Sequence, residues 1–210
     1  MPRTVDAMNE PQEAIQAAVA VIRAGGLVVL PTDTVYGIGA DPFQPAAVQA
    51  LLDAKGRGRD MPPPVLVAQA KALFALTKGV SAAADALTAA FWPGALTLVM
   101  NANSSLRMDL GDRGGTIAVR VPDHRFARDL LRITGPLAVS SANLAGHPAA
   151  TDVDTAIGQL GDRVDLYLDF GSTPGLEAST IVDLTGSTPR ILRQGLLSAA
   201  ELGEVVAIDG

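Results

Sequence analysis

Three cations between positions 55 and 59 are the first residues of this chain that could do chemistry. The stretch AKGRGRDMPPP, residues 54–64, places Lys55, Arg57 and Arg59 within five residues, with Gly56 and Gly58 between them. The glycines leave the backbone free to bend around a ligand. So dense a set repels itself unless water or an anion surrounds it. Arginine forks match phosphate oxygens and a lysine adds a point charge, so a polyphosphate is the natural anion. The competing reading is a solvated basic loop. Lys55 lies seven residues after Val48 and continues the apolar face of the preceding helix. That places its ammonium at the core edge, reaching outward.

A fourth cation sits inside a strand. In TIAVRV, residues 116–121, period-two alternation puts Ile117, Val119 and Val121 on one face and Thr116, Ala118 and Arg120 on the other. An arginine in an apolar strand is costly unless paired. Either an internal aspartate pairs with Arg120, or Arg120 clamps a ligand carboxylate. Two buried strands end in short polar residues: LVVLP runs into Thr32-Asp33-Thr34, and PLAVS into Ser140-Ser141-Ala142-Asn143. Ligands of open α/β sheets bind beyond the carboxyl ends of strands, although the same residue types also make turns and caps. Ser179 opens the strand STIVD after a Gly/Pro-rich loop, GSTPGLEA (171–178), that reads as a flap, and Arg193 stands near the end of another strand in RILRQG.

Other chemistries are excluded by what is missing. There is no cysteine and there are two histidines, His124 and His147. Thiolate nucleophiles, cysteine or multi-histidine metal sites and histidine triads are therefore not expected, and no metal ligand is assigned. GxxxxGK is absent, and GIGADP lacks the third glycine of a dinucleotide fingerprint. Catalysis would rest on hydroxyls, carboxylates, cations and backbone.

The 210 residues are 48% hydrophobic and 18% charged, the composition of a globular domain. No apolar run reaches the length of a membrane span, and the first residues lack the basic start and apolar core of a signal peptide. A cytoplasmic protein is expected. Net charge is −6, but residues 1–132 hold 13 of the 16 cations and 12 of the 22 acids, with six arginines from Arg107 to Arg132. A local basic region on an acidic chain points to an anionic ligand more than to a nucleic-acid coat.

The elements that must position these residues alternate along the chain. A helix is expected from Pro11 to the Gly25-Gly26 stop, through Ile15, Ala18, Val19 and Ile22. A strand (27–31), a helix from Pro45, a short strand (65–67) and Ala-rich helices (69–91) follow. Strands at 95–100 and 116–121 flank a polar loop of about fifteen residues, longer than most structural loops. Asp123 caps a helix over 124–133. Then come a strand (136–140), a helix (152–160), strands at 165–169, 179–184 and 190–193, and a last helix near 198–204. This interleaving predicts an α/β fold, a twisted open mixed parallel/antiparallel sheet flanked by helices, with residues 1–210 as a single domain and its core at about 12–195.

In order, the chain carries PTDTVYGIGA, the Lys-Gly-Arg loop, WPGALT, TIAVRVP, SSANLAG, STIVD and LRQG. These motifs span about residues 12–195 and resemble the YrdC-like L-threonylcarbamoyladenylate synthase family, in its short, single-domain form. The resemblance implies a YrdC-like sheet around a positively charged cavity. It implies condensation of L-threonine, bicarbonate or CO2, and ATP, with pyrophosphate released. Magnesium would ride on the triphosphate, and a separate complex would transfer the threonylcarbamoyl group to tRNA. Carried over by position, Thr32, Arg120 and Ser179 match threonine-site residues, with Val139 contributing its main chain. Lys55, Arg57, Thr116, Ser141, Asn143 and Arg193 match the nucleotide side. Lys55 and Arg57 would hold the phosphates catalytically, with Arg59 as a third cation.

The sequence departs from the family at Gly58, where proline is common, and at Ala68, near where many members carry histidine. Ala95 and Ala145 replace a common proline and serine. Two rivals remain. One is a double-stranded RNA- or tRNA-binding module without catalysis, supported by the arginines of 107–132 but opposed by the acidic net charge and 4% aromatic content. The other is a carbamoyl-transfer domain, which occurs elsewhere within larger, cysteine-bearing proteins.

Overall fold

A computed structural model describes residues 2–112, 114–175 and 177–209. Two sequence expectations touch positions outside these: Arg113 of the arginine-rich segment and Leu176 of the flap lie outside the described residues.

Among the described residues ten strands form one sheet. In chain order they are β1 (Thr4–Asp6), β2 (Val28–Leu30), β3 (Gly37–Ala40), β4 (Val65–Leu66), β5 (Leu96–Asn101), β6 (Thr116–Arg120), β7 (Leu137–Ser141), β8 (Leu166–Asp169), β9 (Thr180–Asp183) and β10 (Arg190–Arg193). The spatial order is β1-β8-β2-β3-β7-β4-β6-β5-β9-β10. Parallel pairs (β1/β8, β2/β8, β4/β6, β5/β9) alternate with antiparallel ones, so the expected mixed sheet is observed. Among the described residues seven α-helices accompany it: α1 (Pro11–Arg23), α2 (Pro45–Lys55), α3 (Leu73–Leu76), α4 (Ala82–Phe91), α5 (Arg125–Thr134), α6 (Val153–Leu160) and α7 (Ala199–Gly203). Among the described residues, no helix is long and apolar enough to cross a membrane.

The helices cover the sheet unevenly. Around β2, β3, β7 and β8, both faces are buried. Val48, Leu51 and Leu52 of α2 and Val153 and Leu160 of α6 pack on one side. Ala14, Ala18 and Ile22 of α1 and Phe126, Leu130 and Leu131 of α5 pack on the other. Strands buried on both faces read as continuous apolar runs, as Val28–Leu30 does. Around β5, β6 and β9 helices pack on one face, where Leu73 and Leu76 of α3, Leu87 of α4 and Leu202 of α7 meet Leu96, Leu98, Ile117, Val119 and Val182, while β4 joins the two halves, with Val65 in this core and Leu66 in that of α1 and α5. The opposite face of β5, β6 and β9 carries Thr97, Arg120 and their neighbours. Thr97 and Arg120 are buried there with hydrogen-bond partners, as buried polar groups require.

Three details differ from the sequence expectation, and the break between the Ala-rich helices refines it. Residues 37–40, which the sequence reading assigned to no element, form β3, paired to β2 and β7. Glycine is poor in strands, but a Cβ at Gly37 would lie 2.5 Å from Val139 Cγ1, so the close approach of β7 selects it. Thr4–Asp6 adds an unpredicted edge strand beside β8. The Ala-rich stretch breaks at Thr77, and Ser81 then caps α4 by accepting from the Ala84 amide at 3.2 Å. The cap of α5 is His124, whose Nδ1 accepts from the Ala127 amide at 3.4 Å. Asp123 instead receives Arg128 Nη1 at 2.7 Å.

Candidate active site

The open face of β5, β6 and β9 floors a cavity of about 260 Å3, on which Thr97, Val99, Ala118, Arg120 and Ile181 stand. Its walls come from the Thr32–Gly37 turn, Arg57 with Pro62 and Pro64, the end of β7, and Ser179, Leu192 and Arg193. Three guanidinium groups therefore converge on one space. Its described lining includes no carboxylate, lysine, histidine or cysteine.

Arg120 is 6% exposed. Nη2 donates to Asp33 Oδ1 at 2.6 Å, Nη1 to Thr34 Oγ1 at 3.0 Å and Nε to the Gly94 carbonyl at 2.9 Å. Of the two readings open at the sequence level, the internal aspartate is the one seen. Burial lowers the Arg120 pKa, and the Asp33 carboxylate opposes that shift. A guanidinium has five N–H donors, so Arg120 still has donors to offer a ligand. The Thr34 hydroxyl continues this chain. Thr32 Oγ1 donates to the Val35 carbonyl at 2.6 Å and has no second proton, so Thr34 donates to Thr32 across their 3.0 Å contact. The polar end of β2 is thereby tied to β6 by Arg120.

On the opposite wall, Ser179 Oγ and Thr97 Oγ1 share a buried hydrogen bond of 2.8 Å. Arg193 Nη2 donates to the Ser179 carbonyl at 2.6 Å, and both burial and the charge of Arg120 lower the Arg193 pKa. Arg57 Nη1 donates to Ser140 Oγ at 3.0 Å.

Of the sequence-assigned residues, Thr32, Arg57, Arg120, Val139, Ser141, Ser179 and Arg193 line the cavity. Val139 uses its amide internally, donating to the Pro64 carbonyl at 2.8 Å. Four others are placed differently. Lys55, expected to reach outward, is 2% exposed and turned inward. Its Nζ donates to the Ser141 carbonyl at 2.5 Å, the Asn143 carbonyl at 2.6 Å and Asn143 Oδ1 at 3.3 Å. These acceptors satisfy an ammonium that the helix carries to the core edge. Asn143 is part of the same cage, and its Nδ2 closes the 143–147 turn on the Leu144 and His147 carbonyls, both at 2.8 Å. Arg59 points away from the cavity, to Asp109 at 2.6 Å and Asp112 at 3.2 Å, which pin the basic loop to the 102–115 loop. Thr116 shares a strand face with Ala118 and Arg120 but stands at the far end of β6, beside Lys78, Asn103 and Leu106.

The sequence reading assigned no role to Tyr36 or Thr97, and named Asp33 and Ser140 only within the polar clusters at the ends of their strands. A lone hydroxyl within the apolar strand Leu96–Met100 was the available signal for Thr97. Tyr36 is fully buried; its hydroxyl donates to the Gly171 carbonyl at 2.6 Å and accepts from the Phe170 amide at 3.0 Å. Burial pushes its pKa up to about 12. Tyr36 thus holds the root of the expected flap, whose Gly175 rests on the Thr34 backbone. A Cβ there would lie 2.6 Å from the Thr34 carbonyl oxygen. Gly175→Ala should therefore cost about 1–3 kcal/mol by forcing the two backbones apart. Urea denaturation checks this; an unchanged midpoint would mean that the segment does not rest on Thr34 in solution.

Among the described residues, four arginines of the arginine-rich segment pair with carboxylates. Arg120 pairs with Asp33, Arg125 and Arg132 with Asp129, and Arg128 with Asp123. That removes much of the charge on which an RNA-binding module would depend.

A family model of the Sua5/YciO/YrdC type, described as "Telomere recombination", matches residues 20–195. A Mycobacterium tuberculosis protein is 52% identical over 211 residues, covering 100% of this chain and 97% of the relative. Threonylcarbamoyl-AMP synthase of Pyrococcus abyssi is 35% identical over 193 residues, 91% of this chain. The structure of P. abyssi Sua5 complexed with L-threonine superposes with a TM-score of 0.88 at 33% identity, covering 100% of this chain and 62% of that one. Escherichia coli YciO superposes with a TM-score of 0.85 at 25% identity, covering 96% and 98%.

Proposed function

The chain belongs to the Sua5/YciO/YrdC family, and on that premise we propose that it is a threonylcarbamoyl-AMP synthase, joining L-threonine, bicarbonate or CO2, and ATP. The observation that carries the reading is the convergence of Arg57, Arg120 and Arg193 on a cavity whose described walls supply hydroxyls but no carboxylate, histidine or thiol. Such a site suits a reaction whose nucleophile belongs to the substrate. The threonine amine adds to CO2, giving a carbamate and releasing a proton. A carbamate oxygen then attacks the α-phosphorus of ATP, its bond to the bridging oxygen breaks, and pyrophosphate leaves. The protein's part is to hold two anions together and to stabilise charge gathering on phosphate, through positioning and preorganised cations.

The geometry supports the following roles. Arg120 receives the threonine carboxylate with donors not engaged by Asp33, Thr34 and Gly94. The Ser179–Thr97 pair or Thr32 reads the threonine hydroxyl, and the strand at Val139 forms the pocket's side. Arg57 and Arg193 face the phosphates, and Ser141 the nucleotide. Lys55 acts from behind the wall by fixing the Ser141 and Asn143 carbonyls and by adding positive potential. Arg59 and Thr116 hold or border the loops around the site. Magnesium enters with the triphosphate; among the described residues, no group of three His, Asp or Glu side chains could hold it.

The product is a mixed anhydride, so an acyl-transfer reaction must consume it. In this proposal that is a separate tRNA-modifying complex in the cytoplasm, and any direct tRNA contact is weak. The test is pyrophosphate release from ATP and magnesium with each substrate omitted in turn. Release that needs both threonine and bicarbonate supports the synthase. Threonine-independent release, or none from folded protein, would refute it.

A further inference from the structure

Strand β10 breaks its own alternation. Arg190 pairs with Asp183 and Ile191 with Val182, but the next pair joins Arg193 to Ile181, leaving Leu192 in a bulge. In a regular strand Ile191 and Arg193 would share a face, with Leu192 opposite. Here Ile191 packs on the covered core with Val182, whereas Leu192 and Arg193 both line the cavity.

This arrangement is held in place. Arg193 Nη2 is fixed on the Ser179 carbonyl at 2.6 Å. The buried Thr180 hydroxyl accepts from the Gly195 and Leu197 amides, both at 3.0 Å, and donates to the Leu197 carbonyl at 2.7 Å. Gly195 lies so close to the Ala178 and Ser179 backbones that no side chain fits. The bulge therefore fixes a 46% exposed leucine beside a guanidinium.

Resting on the synthase reading above, we propose that Leu192 is the apolar platform for the nucleobase of the ATP whose phosphates Arg193 faces. The cavity floor holds cations and hydroxyls, which suit the carboxylate, carbamate and phosphates. The α-phosphate has to lie against the carbamate, so ribose and base extend toward the rim, where the half-exposed Leu192 offers an apolar contact. A ligand anionic at one end and planar and apolar at the other matches Arg193 and Leu192 as neighbours. An apolar side chain against the face of a base reads none of the hydrogen-bonding groups on the base's edges, so the site should hold purines with modest selectivity.

The test compares binding of ATP, inorganic tripolyphosphate and L-threonine to wild type, Leu192→Ala and Leu192→Phe. Leu192→Ala should weaken ATP about tenfold, the scale of losing about 1.4 kcal/mol of apolar contact, and leave tripolyphosphate and threonine unchanged; Leu192→Phe should keep ATP binding. Equal weakening of ATP and tripolyphosphate would overturn the proposal, because the bulge would then act through Arg193. So would unchanged ATP binding, including the case where sedimentation shows that Leu192→Ala alters the mass, which would assign the leucine to a contact between copies. Wild type that binds no ATP would refute the synthase reading and this proposal together. A negative Leu192 result with active wild type would refute this proposal alone.

Discussion

Arg120→Ala should abolish measurable threonine binding and destabilise the fold, while ATP still binds. The two effects share one cause. Arg120 is 6% exposed and is the ion-pair partner of Asp33, whose side chain is 14% exposed. Removing one member of a buried pair strands the other, a loss of about 3–5 kcal/mol. The mutation also frees Thr34 Oγ1 and the Gly94 carbonyl from their 3.0 Å and 2.9 Å bonds. Calorimetric titration with threonine and with ATP, alongside thermal denaturation, checks each part. Adding Asp33→Asn to Arg120→Ala removes the stranded charge and should recover most of the stability without recovering threonine binding. Threonine affinity that returned with stability would show that Arg120 only supports the fold. Loss of ATP binding with threonine binding kept would reverse the assignment.

Lys55→Met should lower pyrophosphate release by roughly 10²–10³-fold, the scale for losing one preorganised charge or donor. Met replaces the stem but not the donors, leaving the Ser141 and Asn143 carbonyls without the ammonium. Each unpaired acceptor costs about 1–3 kcal/mol, and relief of the buried cation offsets part of it, so a net loss of about 2 kcal/mol is expected. The wild type should show a matching pH dependence. Burial, then the charge of Arg57, lowers the Lys55 pKa from 10.5 to about 8. Between those values the unfolded lysine holds a proton that the folded one has released. This group's contribution to stability therefore rises with pH across that window, while the charge that assists turnover disappears. A wild-type pH profile falling through about pH 8, and its absence in Lys55→Met, is the expected pair of results. An identical alkaline limb in the variant would separate Lys55 from catalysis.

Much of the fold was legible because it rests on local rules. The apolar runs at Val28–Leu30 and Leu137–Ser141, Pro11 and Pro45 at helix starts, and the one-sided strands Leu96–Asn101 and Thr116–Arg120 each follow from periodicity or capping. β3 was not legible, because its glycines answer to the Val139 side chain of a strand about a hundred residues away. The His124 cap was hidden because Asp123, the better capping residue type, is drawn to Arg128.

The site divided in the same way. Residue types and order were enough to indicate an anion-binding protein without nucleophilic side chains, and the motifs were enough to indicate its family. Which cations face the cavity was a matter of packing. Lys55 and Arg59 flank Arg57 in sequence, yet one turns into the Ser141–Asn143 carbonyls and the other onto Asp109 and Asp112, while Arg57 reaches Ser140. Sequence spacing states which charges can approach a ligand. The tertiary fold decides which of them find internal acceptors first, because those acceptors come from strands and loops that only the folded sheet brings within hydrogen-bonding distance.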